Sequence, residues 1–142
     1  MPPLRLGDFK LIAFDMDSTL INIECVDEIA DAAGRKAEVA AITEAAMRGE
    51  ITDYKDSLRR RVALLRGVPV AAMAEVYEQR LQLNPGAELL VRACQDAGLV
   101  TLLVSGGFTF FTDRVRDRLG IQYTRSNVLE VENDHLTGRM VD

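Results

Sequence analysis

The sequence has no apolar run near the ~18 residues that a membrane helix needs. It also shows no leader-like opening, no internal repeat and no low-complexity segment. These absences point to a soluble, cytoplasmic protein with no membrane partner. A basic surplus is missing too. Lys and Arg number 17 against 22 Asp and Glu, a net charge of -5, so nucleic acid is not an expected partner. The triplet Arg59-Arg60-Arg61 is local and stands among acids. Cysteine is scarce: Cys25 and Cys94 have no paired spacing and read as small buried apolar residues in a reducing compartment. The single histidine, His135, falls at a predicted hairpin turn and is assigned to the surface.

What is present is ordinary globular material, 48% apolar and 27% charged. A chain of 142 residues fits one domain, or a core with a modest insert. Such a chain buries roughly two thirds of its unfolded surface. Residues 11–20, Leu-Ile-Ala-Phe-Asp-Met-Asp-Ser-Thr-Leu, stand out. A short apolar run there predicts a strand over 10–14, and Ile12 and Ala13 suit a strand covered on both faces. It ends abruptly in Asp15 and Asp17. Buried charge without compensation is costly, so two acids at a strand end need a cation, hydrogen-bond donors or water.

From 23 to 83 the pattern changes to helical periodicity. Helices are predicted over about 23–33, 37–47, 53–66 and 70–81, punctuated by Gly34, Gly49 and Gly67. Thr52 or Asp53 is the expected N-cap of the third. Asn84-Pro85-Gly86 then marks a turn, followed by a helix over 87–97 and a second apolar strand over 99–104. That strand runs into Ser105-Gly106-Gly107 at the entrance of a helix over 109–119. The alternation of 128–131 and 136–140 around Asn133-Asp134 predicts a β-hairpin. The expected architecture is α/β, with residues 1–22 and 84–142 forming the core and 23–83 a helical cap.

The two strand ends make chemical sense together. A helix N-terminus attracts anions, and glycines there let a ligand approach the backbone. Two carboxylates alone would repel a phosphate. A hard divalent cation such as Mg²⁺ reverses that sign, so the set points to metal-assisted phosphoryl transfer. One carboxylate can attack phosphorus. The other can protonate the leaving alcohol and then deprotonate water, provided it starts protonated, which a neighbouring carboxylate favours.

Phe14-Asp15-Met16-Asp17-Ser18-Thr19-Leu20 resembles the first motif of the haloacid dehalogenase superfamily of phosphatases, and Ser105-Gly106-Gly107-Phe108-Thr109 its second. The wording of both, with Met47-Arg48-Gly49-Glu50 and the stretch 57–62, is similar to the branch that acts on O-phospho-L-serine. The resemblance implies a Rossmann-like parallel sheet and Mg²⁺-dependent hydrolysis of phosphoserine in serine biosynthesis. It matches Asp15 to the nucleophile and Asp17 to the general acid/base. Asp15 and the main-chain carbonyl of Asp17 match the metal ligands. Ser105 and Gly106 correspond to the phosphate-holding pair. In the cap, Glu24 corresponds to the group that meets the substrate ammonium and Arg61 to the one that meets its carboxylate. Met47 and Tyr54 match apolar positions that close over the substrate, although the branch usually has Phe where Tyr54 stands.

The chain departs from that pattern downstream. The superfamily has a third-motif lysine and a Gly-Asp-x-x-x-Asp stretch, whereas the lysines here are Lys10, Lys36 and Lys55, all before the second motif. The sheet core is therefore expected to be incomplete at its C-terminal end and the metal site short of ligands. Two readings stay open at this level. One is the N-terminal part of a phosphoserine hydrolase, inactive alone. The other is a non-catalytic binding or assembly module, whose exposed sheet edge would favour a homodimer or swapped assembly. A phosphotransferase, or a phosphatase for another small phosphomonoester, is a further alternative within the enzyme class.

Overall fold

The computed structural model describes residues 2–141, which divide into two compact units. The first comprises residues up to 23 and 82–127, and the second comprises 24–81 and 128 onward.

The first unit is a three-stranded parallel sheet with helices. Strand β1 (Leu11–Phe14) pairs with β2 (Val100–Phe108), Leu11 opposite Val100 and Phe14 opposite Leu103. On its other edge β2 pairs in parallel with the start of β3 (Tyr123–Glu132), Leu102 opposite Tyr123 and Phe108 opposite Asn127. The first half of β3 escapes the sequence pattern because Tyr-Thr-Arg-Ser-Asn is mostly polar; pairing with β2 holds it extended. Helices α5 (Ala87–Asp96) and α6 (Thr109–Leu119) both contact β2. They bury Val91, Cys94, Phe111 and Val115 together with Leu103 and Thr101 of the sheet. The opposite sheet face is apolar yet open, with Leu11 54% and Tyr123 55% exposed and Val100 and Val104 also exposed. The expectation that the first strand is covered on both faces is thus corrected. Ala13 is exposed and Ile12 only half-buried, because helices pack against one face alone.

The second unit holds helices α1 (Cys25–Ala32), α2 (Lys36–Met47), α3 (Tyr54–Ala63) and α4 (Val70–Gln79). Asp53 caps α3 by accepting from the Lys55 N–H at 3.0 Å. Ile29, Val39, Val62, Leu65 and Val76 are fully buried, each worth about 1.5–3 kcal/mol of transfer free energy. Arg80, beyond α4, donates to Glu28 (2.8 Å) and Asp31 (2.7 Å) on α1. The Glu28 bond first, then the Asp31 bond, raise the pKa of its guanidinium above the usual value.

The hairpin is where the domain division differs from the sequence reading, which assigned 84–142 to the core. The end of β3 and strand β4 (His135–Val141) group with the helices instead. The cause is main-chain bonding. Gly67 N–H donates to Leu136 O, Leu136 N–H to Val68 O, and Val70 N–H to Asp134 O, all within 2.8–2.9 Å. Leu136 fills the helical core at 3% exposure. The turn itself is as expected: Asn133 (φ 53°) and Asp134 (φ 62°) take the left-handed conformations that a two-residue hairpin turn requires. Both cysteines are buried and neither is in a disulfide, and His135 is exposed.

Candidate active site

In the first unit the chain leaves β1 at Phe14 and turns back through a wide loop over Met16–Leu20, closed by Ile21 N–H to Met16 O (3.2 Å). Met16 and Leu20 anchor it in the core at 0% and 2% exposure. Between these buried anchors Ser18 and Thr19 are exposed and Asp17 is half-buried, while Asp15, just before Met16, is exposed. Ser18 adopts φ 56°, a left-handed conformation that is uncommon outside glycine and is found disproportionately at functional sites. Its N–H donates to Ile23 O at 3.1 Å.

Asp15 is exposed, and its Oδ2 accepts from the Thr19 hydroxyl at 3.1 Å. Asp17 is half-buried; its Oδ1 atom is buried without a hydrogen bond, while the residue is engaged through other atoms. No group of three or more His, Cys, Asp or Glu side chains comes together among the described residues. The donors on this loop are nonetheless hard oxygens. Mg²⁺ keeps several waters and is commonly held by one or two carboxylates plus a substrate phosphate. The loop fits such an ion, held weakly.

The second strand end lies beside the first. Ser105-Gly106-Gly107, expected between the strand and the helix, forms an irregular end of β2 itself, with a register shift against β3 between Val104 and Phe108. Ser105 is buried, and its Oγ accepts from the Gly107 N–H at 2.9 Å. That leaves the Ser105 O–H available as a donor. Gly107 has no left-handed conformation to explain it. A Cβ at that position would lie 3.0 Å from Ser105 Oγ, 3.3 Å from Met16 Cε and 3.8 Å from Asp17 Oδ2. The glycine therefore lets the two loops approach, which puts Asp17 and Ser105 at one place. Helix α6 starts immediately after, so its N-terminal N–H groups follow directly on the Ser105-Gly106-Gly107 stretch.

Two residues that the sequence reading missed brace this arrangement. Asn84, read there only as a turn residue, donates through Nδ2 to Thr19 O (2.8 Å) and Ile21 O (3.0 Å), pinning the Asp loop. Asn127, at the parallel end of β3, donates to Gly106 O at 2.9 Å. The only sequence signal for either is an amide side chain where a motif loop needs satisfied carbonyls.

In the second unit, Met47, Tyr54 and Arg61 line a single cavity of about 310 Å³ with Thr43, Ile51 and Ser57. Arg61 is half-buried and its Nε donates to Ser57 O at 3.5 Å. Met47 is 84% and Tyr54 59% exposed, a large apolar area for a surface to leave open. Glu24 does not line that cavity. It precedes α1 as N-cap without a capping bond from its side chain, and the residue has an interaction elsewhere. No helix among the described residues is long and apolar enough to cross a membrane.

The family model for haloacid dehalogenase-like hydrolases matches residues 12–142. The chain belongs to that family. It is 81% identical over 141 residues to the phosphoserine phosphatase of Polaromonas sp. strain JS666, covering 99% of this chain and 60% of the relative. A solved phospho-aspartyl intermediate analogue of phosphoserine phosphatase is similar at 40% identity and TM-score 0.84, over 92% of this chain and 62% of that one. A substrate-bound phosphoserine phosphatase complex is similar at 39% identity and TM-score 0.85, over 92% and 61%. The chain spans 60% of the length of the relatives from Polaromonas sp. and Albidiferax ferrireducens, and less of several others. The α/β fold expected from the sequence is the fold of these structures.

Proposed function

We propose that this chain carries the nucleophile and substrate-recognition part of a cytoplasmic phosphoserine phosphatase, which releases serine and phosphate at the end of serine biosynthesis. The observation that most supports it is the approach of Asp17 and Ser105 across Gly107, beside Asp15, in a chain 81% identical to a phosphoserine phosphatase. In this reading Asp15 Oδ attacks phosphorus, the P–O bond to serine breaks, and Asp17 gives its proton to the departing alkoxide. Asp17 then takes a proton from the water that attacks the acyl phosphate, releasing phosphate and restoring both carboxyl groups. Ser105 O–H and the Gly106 N–H hold the phosphoryl oxygens. Magnesium, bound by the Asp15 carboxylate and the Asp17 carbonyl, would supply charge neutralisation. Glu24 meets the substrate ammonium and Arg61 its carboxylate, for which a planar guanidinium is better matched than an ammonium. Met47 and Tyr54 give the amino-acid end an apolar wall.

With so few protein ligands for the metal, the 142-residue chain alone is expected to show little or no turnover. The assay that tests the reading follows phosphate release from phosphoserine with Mg²⁺ on two proteins. One is this chain; the other is this chain completed with the remaining part of the Polaromonas relative. The completed protein is expected to prefer phosphoserine over other phosphomonoesters and to lose on the order of 10⁴-fold in Asp15→Asn. Equal rates on all phosphomonoesters, or phosphoryl transfer to an alcohol acceptor in place of hydrolysis, would reject the substrate assignment.

A further inference from the structure

The second unit contains a larger cavity, of about 620 Å³, at the hairpin. Its walls come from the end of α3 and the residues after it (Ala63, Arg66, Gly67) and from β3–β4, including Glu132, His135 and Arg139. This volume lies in the range of small-molecule sites. None of the residues assigned to hydrolysis lines it.

The hairpin is distorted at this place. Leu129 pairs with Met140 and Val131 with Leu136, so β4 spends more residues than β3 between these pairs. The surplus around Gly138 forms a bulge, a feature that typically re-aims side chains next to sites. Gly138 sits at φ 89°, and a Cβ there would lie 3.0 Å from Arg66 Cβ and 3.2 Å from Ala63 O. Only glycine lets the bulge press this closely on α3. The result places the stems of Arg66 and the bulge side by side, with Arg139 as the next residue. The main-chain bonds of Gly67 and Leu136 across the same seam hold the wall in position.

The charges in the cavity are mainly cationic. Arg66 is exposed and enters none of the ion pairs among the described residues. Arg139 pairs with Glu130 at 2.9 Å, but the arginine side chain is 74% exposed, so the pair is weak and exchangeable. His135 is held by its Nδ1, 2.7 Å from Asn133 O. Glu132 is the one acid in the lining, and it suits a ligand that also carries a hydrogen-bond donor.

We propose that this cavity binds a small oxyanion, a phosphoryl or dicarboxylate compound, through Arg66 with Arg139 beside it. The guanidinium fork matches either group. The site is separate from the hydrolytic residues and does not rest on the hydrolase reading. An exposed two-arginine site of this kind is expected to bind with a Kd on the order of 1 mM.

Backbone amide NMR titration of the labelled 142-residue chain tests it, with inorganic phosphate and malonate as probes. Saturable shifts at Gly67 and residues 136–139 are expected. Arg66→Ala should weaken them about tenfold and Arg66→Glu further, with residues 15–19 responding as in the unmodified chain. Shifts with phosphate alone assign a phosphoryl ligand, and shifts with malonate alone a dicarboxylate; both support the site. No saturable shift at these amides with either probe overturns it. Undiminished shifts in both Arg66 variants overturn it as well.

Discussion

The two units build their candidate sites in different ways. In the first, the site is a property of the backbone path. Ser18 is left-handed, Gly107 has no room for a methyl group, and the Asn84 and Asn127 amides tie down the carbonyls of Thr19, Ile21 and Gly106. In the second, the site is a set of side chains on ordinary helices: Met47 ends α2, Tyr54 starts α3, and Arg61 lies further along it around a 310 Å³ cavity. A backbone-defined site fails abruptly when a neighbour changes. A side-chain site changes by degrees, because each group can be shortened without moving the chain.

That contrast orders the expected outcomes. Gly107→Ala in the completed protein puts a methyl group within 3.0 Å of Ser105 Oγ and 3.3 Å of Met16 Cε. It should cost about 1–3 kcal/mol in denaturant unfolding. Turnover should fall on the order of 10²-fold as the loops separate. Wild-type turnover in this variant would mean that the loop approach is dispensable. Arg61→Ala should raise KM by about tenfold to hundredfold for phosphoserine, and leave phosphomonoesters without a carboxylate nearly unaffected. A uniform effect on both classes would remove Arg61 from recognition. The smallest effect is expected for Asn84→Ala, about 1 kcal/mol of stability, because water can replace the amide at both loop carbonyls. A melting curve unchanged from wild type would show that the Asp loop holds itself.

The same contrast explains what was legible beforehand. The apolar runs of β1 and β2, the glycine-punctuated helices and the Asn133-Asp134 turn are local signals, and these elements lie near their predicted ranges, except that β2 runs four residues further, to Phe108. Asp15, Asp17, Ser105 and Gly106 could be picked out because they interrupt apolar strands. The first half of β3 and the bulge at Gly138 could not, because strand pairing and helix contact create them. Nor could the role of Gly107, where a Cβ would meet Met16 Cε, some ninety residues away in the sequence, at 3.3 Å as well as Ser105 Oγ at 3.0 Å. The hairpin's attachment to the helices depends on main-chain bonds from Gly67, Val68 and Val70 that carry no side-chain signature. Arg61 among three arginines, and Glu24 ahead of α1, stood out only through family resemblance, since both are also ordinary helix residues.

The central claim is that Asp15 carries the phosphoryl group. Rapid acid quenching of the completed protein during turnover of phosphoserine, followed by peptide mass spectrometry, tests it directly. The account predicts one added phosphoryl group on the peptide containing Asp15, localised to that residue and absent in Asp15→Asn. Phosphoryl label on another residue, or turnover that survives Asp15→Asn, would contradict it.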